Sequence, residues 1–351
     1  RHDGFQCQSG FHYKDLESMG GRPVMGSVVS KLQGQADDDA PPFVDLMLGR
    51  PLVRNSARPG FLGPAHKPFR PDISRMFHRE LEKGMQGELK RLGADHSVSM
   101  KLNEQLSLDR LSSRSDLLGG LDRIRRKVDA SGMMDAMDAF NQQAVSILTS
   151  GRFAEALDLS REDPGILRRY TSTVNPDSFK FTTAEGAEAP QKFLLARRLI
   201  EAGVRCVSVS ISDFDTHSSN FPRMRALLPI VDHGLHALVT DLEERGMLDD
   251  VSIVVWGEFG RTPRVNPNSG RDHWPRVSCC LLAGGGMRTG QAIGATNRLG
   301  EYALDRPVHM QEVIATIYHN LGIDPGTTTI SDPTGRPQYL IENRIPIREI
   351  V

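Results

Sequence analysis

Cys206-Val207-Ser208-Val209-Ser210-Ile211, then Arg223 to Arg245, then Val251-Ser252-Ile253-Val254-Val255-Trp256: this succession decides the fold. The first and third segments are short apolar runs rich in β-branched residues, which read as buried strands. The middle segment is long enough for six turns of helix and stops at Gly246. Strand, helix, strand at this spacing is a βαβ unit, which predicts a mostly parallel sheet covered on both faces.

Outward from this unit the pattern continues. Phe193 to Ala202 predicts a helix stopped by Gly203, Val277 to Ala283 a third strand, and Gln311 to Leu321 a closing helix. Upstream, a helix is predicted from near Pro23 through Val28, Val29 and Leu32, and a short buried strand over Phe43–Leu48. The prolines at 51, 59, 64, 68 and 71 block regular structure, so residues 50–75 read as a long surface loop. Residues 104–160 carry helical stripes and read as a helical insertion, either a lid or a scaffold pair. The whole is one domain, residues 1–351, of α/β doubly wound class.

Bulk properties fit a soluble globular chain: 38% hydrophobic, 25% charged, formal net charge −1. That charge gives no electrostatic reason to expect nucleic acid as a partner. No apolar run reaches the roughly 18 residues that a membrane span needs. The chain starts at Arg1 without Met or a visible signal peptide, so it reads as a fragment or a processed form with its N-terminal part missing. The four cysteines lack zinc-ligand spacing, and of the adjacent Cys279 and Cys280 at least one is expected to be buried.

Ligands of open α/β sheets sit beyond the carboxyl ends of the strands. After the 206–211 strand stands Asp213-Phe214-Asp215-Thr216-His217, whose carboxylates and imidazole suit a divalent metal. The alternative is that Asp215, Thr216 or Ser218 caps the following helix. After the 251–256 strand stands Gly257-Glu258-Phe259-Gly260-Arg261-Thr262-Pro263. Glu258 is a candidate ligand, and the planar Arg261 fork suits phosphate or sulfate; a surface Glu–Arg pair is the alternative. Before the third strand, Gly270-Arg271-Asp272-His273-Trp274-Pro275 offers His273 as a ligand with Asp272 as ligand or orienter. Other candidates read as structural: Gly284-Gly285-Gly286 as a tight turn, and His233, His236, His309 and His319 as helix residues. Cys7, Ser9, His2 and His12 cluster near the start without a recognisable motif.

These three loops resemble the signatures of the planctomycete-type family called domain of unknown function 1501. Gly26-Ser27-Val28-Val29-Ser30, Gly60-Phe61-Leu62-Gly63, Leu194 to Val204 and Leu282-Ala283-Gly284-Gly285-Gly286 resemble it as well, so the likeness spans nearly the whole chain. The family is grouped with the alkaline phosphatase and sulfatase superfamily. The resemblance implies a doubly wound core, an export signal and first strand ahead of Arg1, and a periplasmic or secreted location. It also implies metal ligands at Asp213, Asp215, His217, Glu258 and His273, for zinc, calcium or manganese. Relatives usually carry Gly in place of Asp213, and superfamily members place Asp-His where Glu258-Phe259 stands, so a full two-metal site departs from the pattern. Where sulfatases hold Thr-Gly-Arg after their nucleophile, this chain has Gly20-Gly21-Arg22, and no nucleophile is assigned.

The expected activity is metal-dependent hydrolysis of phosphate or sulfate esters on a small-molecule or glycan substrate. Arg261 would hold a non-bridging oxygen and Asp272 would orient His273. The alternative is a non-catalytic surface or carbohydrate-binding protein on the same fold, since fold alone does not decide function.

Overall fold

The computed structural model describes residues 4–16, 20–35, 38–46, 58–71, 73, 76, 151–172 and 185–351. Most of the expected helical insertion, residues 104–150, lies outside them, as do His2 and parts of the 50–75 loop.

In chain order the helices are α1 (Phe5–Ser9), α2 (Met25–Gln33), α3 (Arg152–Leu157), α4 (Pro164–Arg169), α5 (Gln191–Glu201), α6 (Asn220–Glu244) and α7 (Met310–Asn320). The strands are β1 (Phe43–Leu46), β2 (Cys206–Val209), β3 (Ile253–Trp256), β4 (Gly260–Arg261), β5 (His273–Trp274), β6 (Cys280–Ala283), β7 (Ala295–Thr296), β8 (Ala303–Asp305), β9 (Thr329–Ser331) and β10 (Pro337–Tyr339). The central elements fall where the sequence pattern places them, within a few residues at each end. Among the described residues β1 and β2 pair in parallel, with Phe43 opposite Cys206 and Leu46 opposite Val209. β3 and β6 pair antiparallel, Ile253 against Ala283 and Trp256 against Cys280. The remaining ladders, β4–β5, β7–β8 and β9–β10, are antiparallel.

β1, β2 and β3 divide their side chains between two layers, as the period of two requires. Val44 and Leu46 of β1 enter a core built with Leu194, Leu195 and Leu199 of α5 and Leu238 and Leu242 of α6. Phe43 points the other way, into a core with Val28 and Val29 of α2 and Ile314 and Tyr318 of α7. On β3, Ile253 packs against the first core, whereas Val254 and Trp256 join a third cluster with Val313 and Ile347. β1 thus lies between α5 and α6 on one side and α2 and α7 on the other. Each fully buried Leu in these cores contributes about 1.5–3 kcal/mol of transfer free energy. Truncating Leu195, which is fully buried, to Ala should cost about 2–5 kcal/mol.

One polar cluster is built into the first core. Arg197 of α5 is almost fully buried and binds Asp241 (2.9 Å), Glu162 (2.7 Å) and Glu201 (2.6 Å). Arg245 closes the far side on Asp241 and Glu201, both at 2.8 Å, and Arg198 binds Glu162 at 2.9 Å. Tyr170 adds a hydroxyl donated to Asp241 at 3.0 Å. The network ties α5 to α6 and to the segment linking α3 and α4.

The 277–283 stretch alternates rather than burying throughout. Cys279 and Leu281 are exposed, while Cys280 and Leu282 pack inward. All four cysteines are unbridged. No described helix is long and apolar enough to cross a membrane.

Candidate metal centre

The loop after β2 starts from a buried anchor. Lys192 of α5 forms an ion pair with Glu185 at 2.6 Å, and both side chains are buried. Glu185 also accepts from the Ser212 amide (2.9 Å) and hydroxyl (2.8 Å), and Lys192 donates to the Ser210 carbonyl. Residues 210–212 therefore leave the strand in a fixed direction. Asp213 follows with φ at 73°, and Ser219, which begins α6, has φ at 49°. Left-handed backbone at residues with a Cβ is uncommon and clusters at functional sites. Ser219 makes no side-chain capping bond, and the Thr216 hydroxyl donates to Asn220 instead. Helix capping therefore does not occupy Asp215 or His217.

The 266–273 loop lies directly on this turn. Arg271 N–H donates to the Thr216 carbonyl, Asn268 and Ser269 carbonyls accept from Ser219 and Asn220, and Asn266 donates to the His217 carbonyl. Gly270 permits the contact: a Cβ there would stand 2.0 Å from the His217 oxygen. β4 and β5 then pair, Arg261 opposite His273, which brings the second and third loops together.

The result is a triangle of ligand atoms. Asp215 Oδ1 lies 3.0 Å from His217 Nε2 and 3.2 Å from His273 Nε2. The two imidazole nitrogens are 3.1 Å apart. Tetrahedral zinc with N and O ligands about 2.0–2.2 Å away would set such atoms about 3.3–3.5 Å apart. The triangle thus fits one small divalent cation after an outward adjustment of a few tenths of an ångström. Asp272 accepts a hydrogen bond from His217 Nδ1 at 2.7 Å. An ionised carboxylate can only accept, so the proton sits on Nδ1, and in the neutral ring Nε2 presents a lone pair. That lone pair faces the Asp215 carboxylate, an arrangement that calls for a cation or a second proton between them.

The surroundings hold these groups in place. Arg261 donates to Asp215 at 2.8 Å and to the Arg271 carbonyl at 3.3 Å. Phe259 packs on the His273 ring with centroids 4.4 Å apart. Hydrogen bonds from His217 and then Asn266 keep the Asp272 carboxyl below the usual carboxylate range.

Of the residues singled out from the sequence, Asp215, His217 and His273 converge, and Asp272 and Arg261 contact them. Asp213 and Glu258 are not in the triangle. Asp272 orients His217, not its neighbour His273. Adjacent Asp272 and His273 meet opposite nitrogens of the same ring, Asp272 at Nδ1 of His217 and His273 at its Nε2. Arg261 grips Asp215 in place of a substrate oxygen. The Glu185–Lys192 anchor has no local signal in the sequence, since Lys192 stands in a helix that also carries Arg197, Arg198 and Glu201.

The early Cys7–His12 cluster reads as structural. Ser9 donates to the Phe5 carbonyl at 2.6 Å. Burial, and then the nearby charge of Glu258, pushes the Cys7 thiol up to about 12, which disfavours a thiolate nucleophile. His309 caps α7 in a reciprocal arrangement with Glu312.

Residues 4–351 match the family described as "Protein of unknown function (DUF1501)", and the chain belongs to that family. No curated protein and no solved structure matched it.

Proposed function

We propose that this DUF1501 protein is a metal-dependent hydrolase of phosphate or sulfate esters, built on a doubly wound framework of the alkaline phosphatase and sulfatase kind. The observation that carries the reading is the Asp215–His217–His273 triangle, with the His217 lone pair set by Asp272. β1 held between α5 and α6 on one side and α2 and α7 on the other, with the triangle on loops at strand ends, supports the framework. Asp215, His217 and His273 would hold zinc, manganese or calcium. Such an ion supplies Lewis-acid polarisation of an ester oxygen and stabilises charge developing on it.

The chain's own contribution is positioning. Asp272 fixes the tautomer and direction of His217, and an orienter of this kind is worth about 10–100-fold in affinity or activity. Arg261 locks one Asp215 oxygen and places a guanidinium beside the centre, where an anionic ester would approach. Phe259 restricts the tilt of His273. Half of the His217 ring is exposed, so the centre opens to solvent and to a substrate.

Reconstitution with zinc, manganese or calcium, followed by assay on p-nitrophenyl phosphate and p-nitrophenyl sulfate, tests this. Hydrolysis that needs added metal and is lost in His273→Ala supports the reading. Metal binding without turnover of either ester would sink it in favour of a non-catalytic surface or carbohydrate-binding protein. One observation favours that second reading: Glu258 stands outside the triangle, so the described residues offer one metal group and no second. An exported location and a glycan ester substrate belong to the same proposal.

A further inference from the structure

A second site lies away from the triangle, on the β9–β10 hairpin. A cavity of about 460 Å³ is lined by Arg22, Arg336, Gln338, Tyr339, Glu342 and Arg344, among others. That volume lies within the range of small-molecule sites. We propose that it binds a small ligand bearing an oxyanion, such as a sulfate or phosphate monoester group.

Arg22, Arg336 and Arg344 all line this cavity, and among the described residues none of them forms an ion pair with a carboxylate. Arg197, Arg245 and Arg306, by contrast, are each held by carboxylates. Arg22 and Arg344 are instead positioned by neutral contacts. Arg22 lies over the Phe11 ring at 4.5 Å and donates to the Tyr339 carbonyl at 3.4 Å. Arg344 lies over the Tyr339 ring at 4.0 Å and donates to the Gly326 carbonyl at 3.1 Å. Stacking on a ring fixes the plane of a guanidinium while leaving its charge uncancelled and edge N–H groups available.

The hairpin that carries Arg336 is tied together by Asp332. Asp332 Oδ1 accepts from Thr334 N–H (2.9 Å), Thr334 hydroxyl (2.6 Å) and Arg336 N–H (3.1 Å). Its second oxygen accepts from Gln338 at 2.9 Å. This carboxylate is consumed by the turn and does not neutralise the arginines. Glu342, the one acid in the lining, is exposed and sets a requirement for anionic groups small enough to sit away from it. The fork geometry of guanidinium matches two oxygens of a tetrahedral or planar oxyanion. The half-exposed Tyr339 offers an apolar surface for the rest of the molecule.

The test uses the full chain with Asp215→Asn and His217→Gln introduced, so that metal-linked binding cannot contribute. Calorimetry is run with inorganic sulfate, glucose 6-sulfate, glucose 6-phosphate and glucose. Binding of the anionic probes but not of glucose, weakened at least about tenfold by Arg336→Gln or Arg344→Gln and by added salt, is the expected result. Preference for the sulfated sugar over free sulfate would assign the ligand to sugar esters, and equal affinity to the free oxyanion. Absence of binding by every anionic probe, or binding that survives both substitutions in a folded variant, would overturn the proposal.

Discussion

Two polar clusters, one around Arg197 and one around His217, differ in pairing and in exposure. Around Arg197, three arginines (197, 198 and 245) meet three carboxylates (Glu162, Glu201 and Asp241), and the central Arg197 and Asp241 are 2% and 1% exposed. Around His217, two carboxylates and two imidazoles gather with the single guanidinium of Arg261, and His217 and Asp272 are 47% and 53% exposed. Charges that are buried and matched hold structure together, because an unmatched one would be costly. Acceptors that converge at a solvent-facing opening, with too few donors among them, leave room for a cation. Number of charged residues does not separate the two; pairing and exposure do.

Breaking the comparison at its strongest point calls for the same change in each cluster. Asp241→Ala leaves Arg197 buried without its most deeply buried carboxylate, and we expect a loss of about 3–5 kcal/mol in urea unfolding. Asp215→Ala, measured in chelator, should stay within about 0.5 kcal/mol of the parent, because its site is partly exposed and needs metal to gain from that residue. Equal losses would mean that both clusters are structural.

Asp272→Asn removes the charge that fixes the His217 tautomer. Metal affinity should fall about 10–100-fold in competition with a fluorescent chelator, with little change in the urea midpoint. An unchanged affinity would show that His217 is oriented by other contacts.

Acid should distinguish the clusters more gently. Burial raises the Glu162 and Asp241 carboxyls, but the surrounding arginines outweigh it and hold both below their usual range. A depressed folded-state value contributes stability that is complete above the unfolded value, near pH 4, and is lost as the pH falls through the folded one. The parent should therefore lose stability steeply below about pH 4, and Asp241→Asn should show a shallower decline over the same interval. Parallel declines would remove Asp241 from the acid response.

The smallest expected effect is at Phe259. Phe259→Leu keeps an apolar contact on His273 and should change metal affinity only about two- to threefold, less than Asp272→Asn.

The loops of the second cluster were legible because each directly follows or precedes an apolar strand, and a strand end is where polar residues meet a ligand. Three short motifs at 213–217, 257–263 and 270–275 offered Asp213, Asp215, His217, Glu258 and His273, of which Asp215, His217 and His273 converge. Which side chain faces which was not legible. Asp272 sits beside His273 in sequence, yet its carboxylate meets His217. The Arg197 network and the Glu185–Lys192 anchor depend on partners tens of residues away, and local periodicity carries no record of them. Gly270 is similar: its need for no side chain arises only when the 266–271 loop lies on the His217 backbone. Elements of the framework followed from apolar runs and glycine stops, whereas the antiparallel sense of β6 against β3 follows from a connection with no crossover helix between them.

Whether Asp215, His217 and His273 hold a divalent ion is decided by elemental mass spectrometry on the purified full chain. The parent protein, supplied with zinc, manganese and calcium and then desalted, should retain about one ion per chain, and a folded Asp215→Ala/His217→Ala variant should retain none. A parent that retains no ion, or a folded variant that keeps the parent's full complement, would contradict the account.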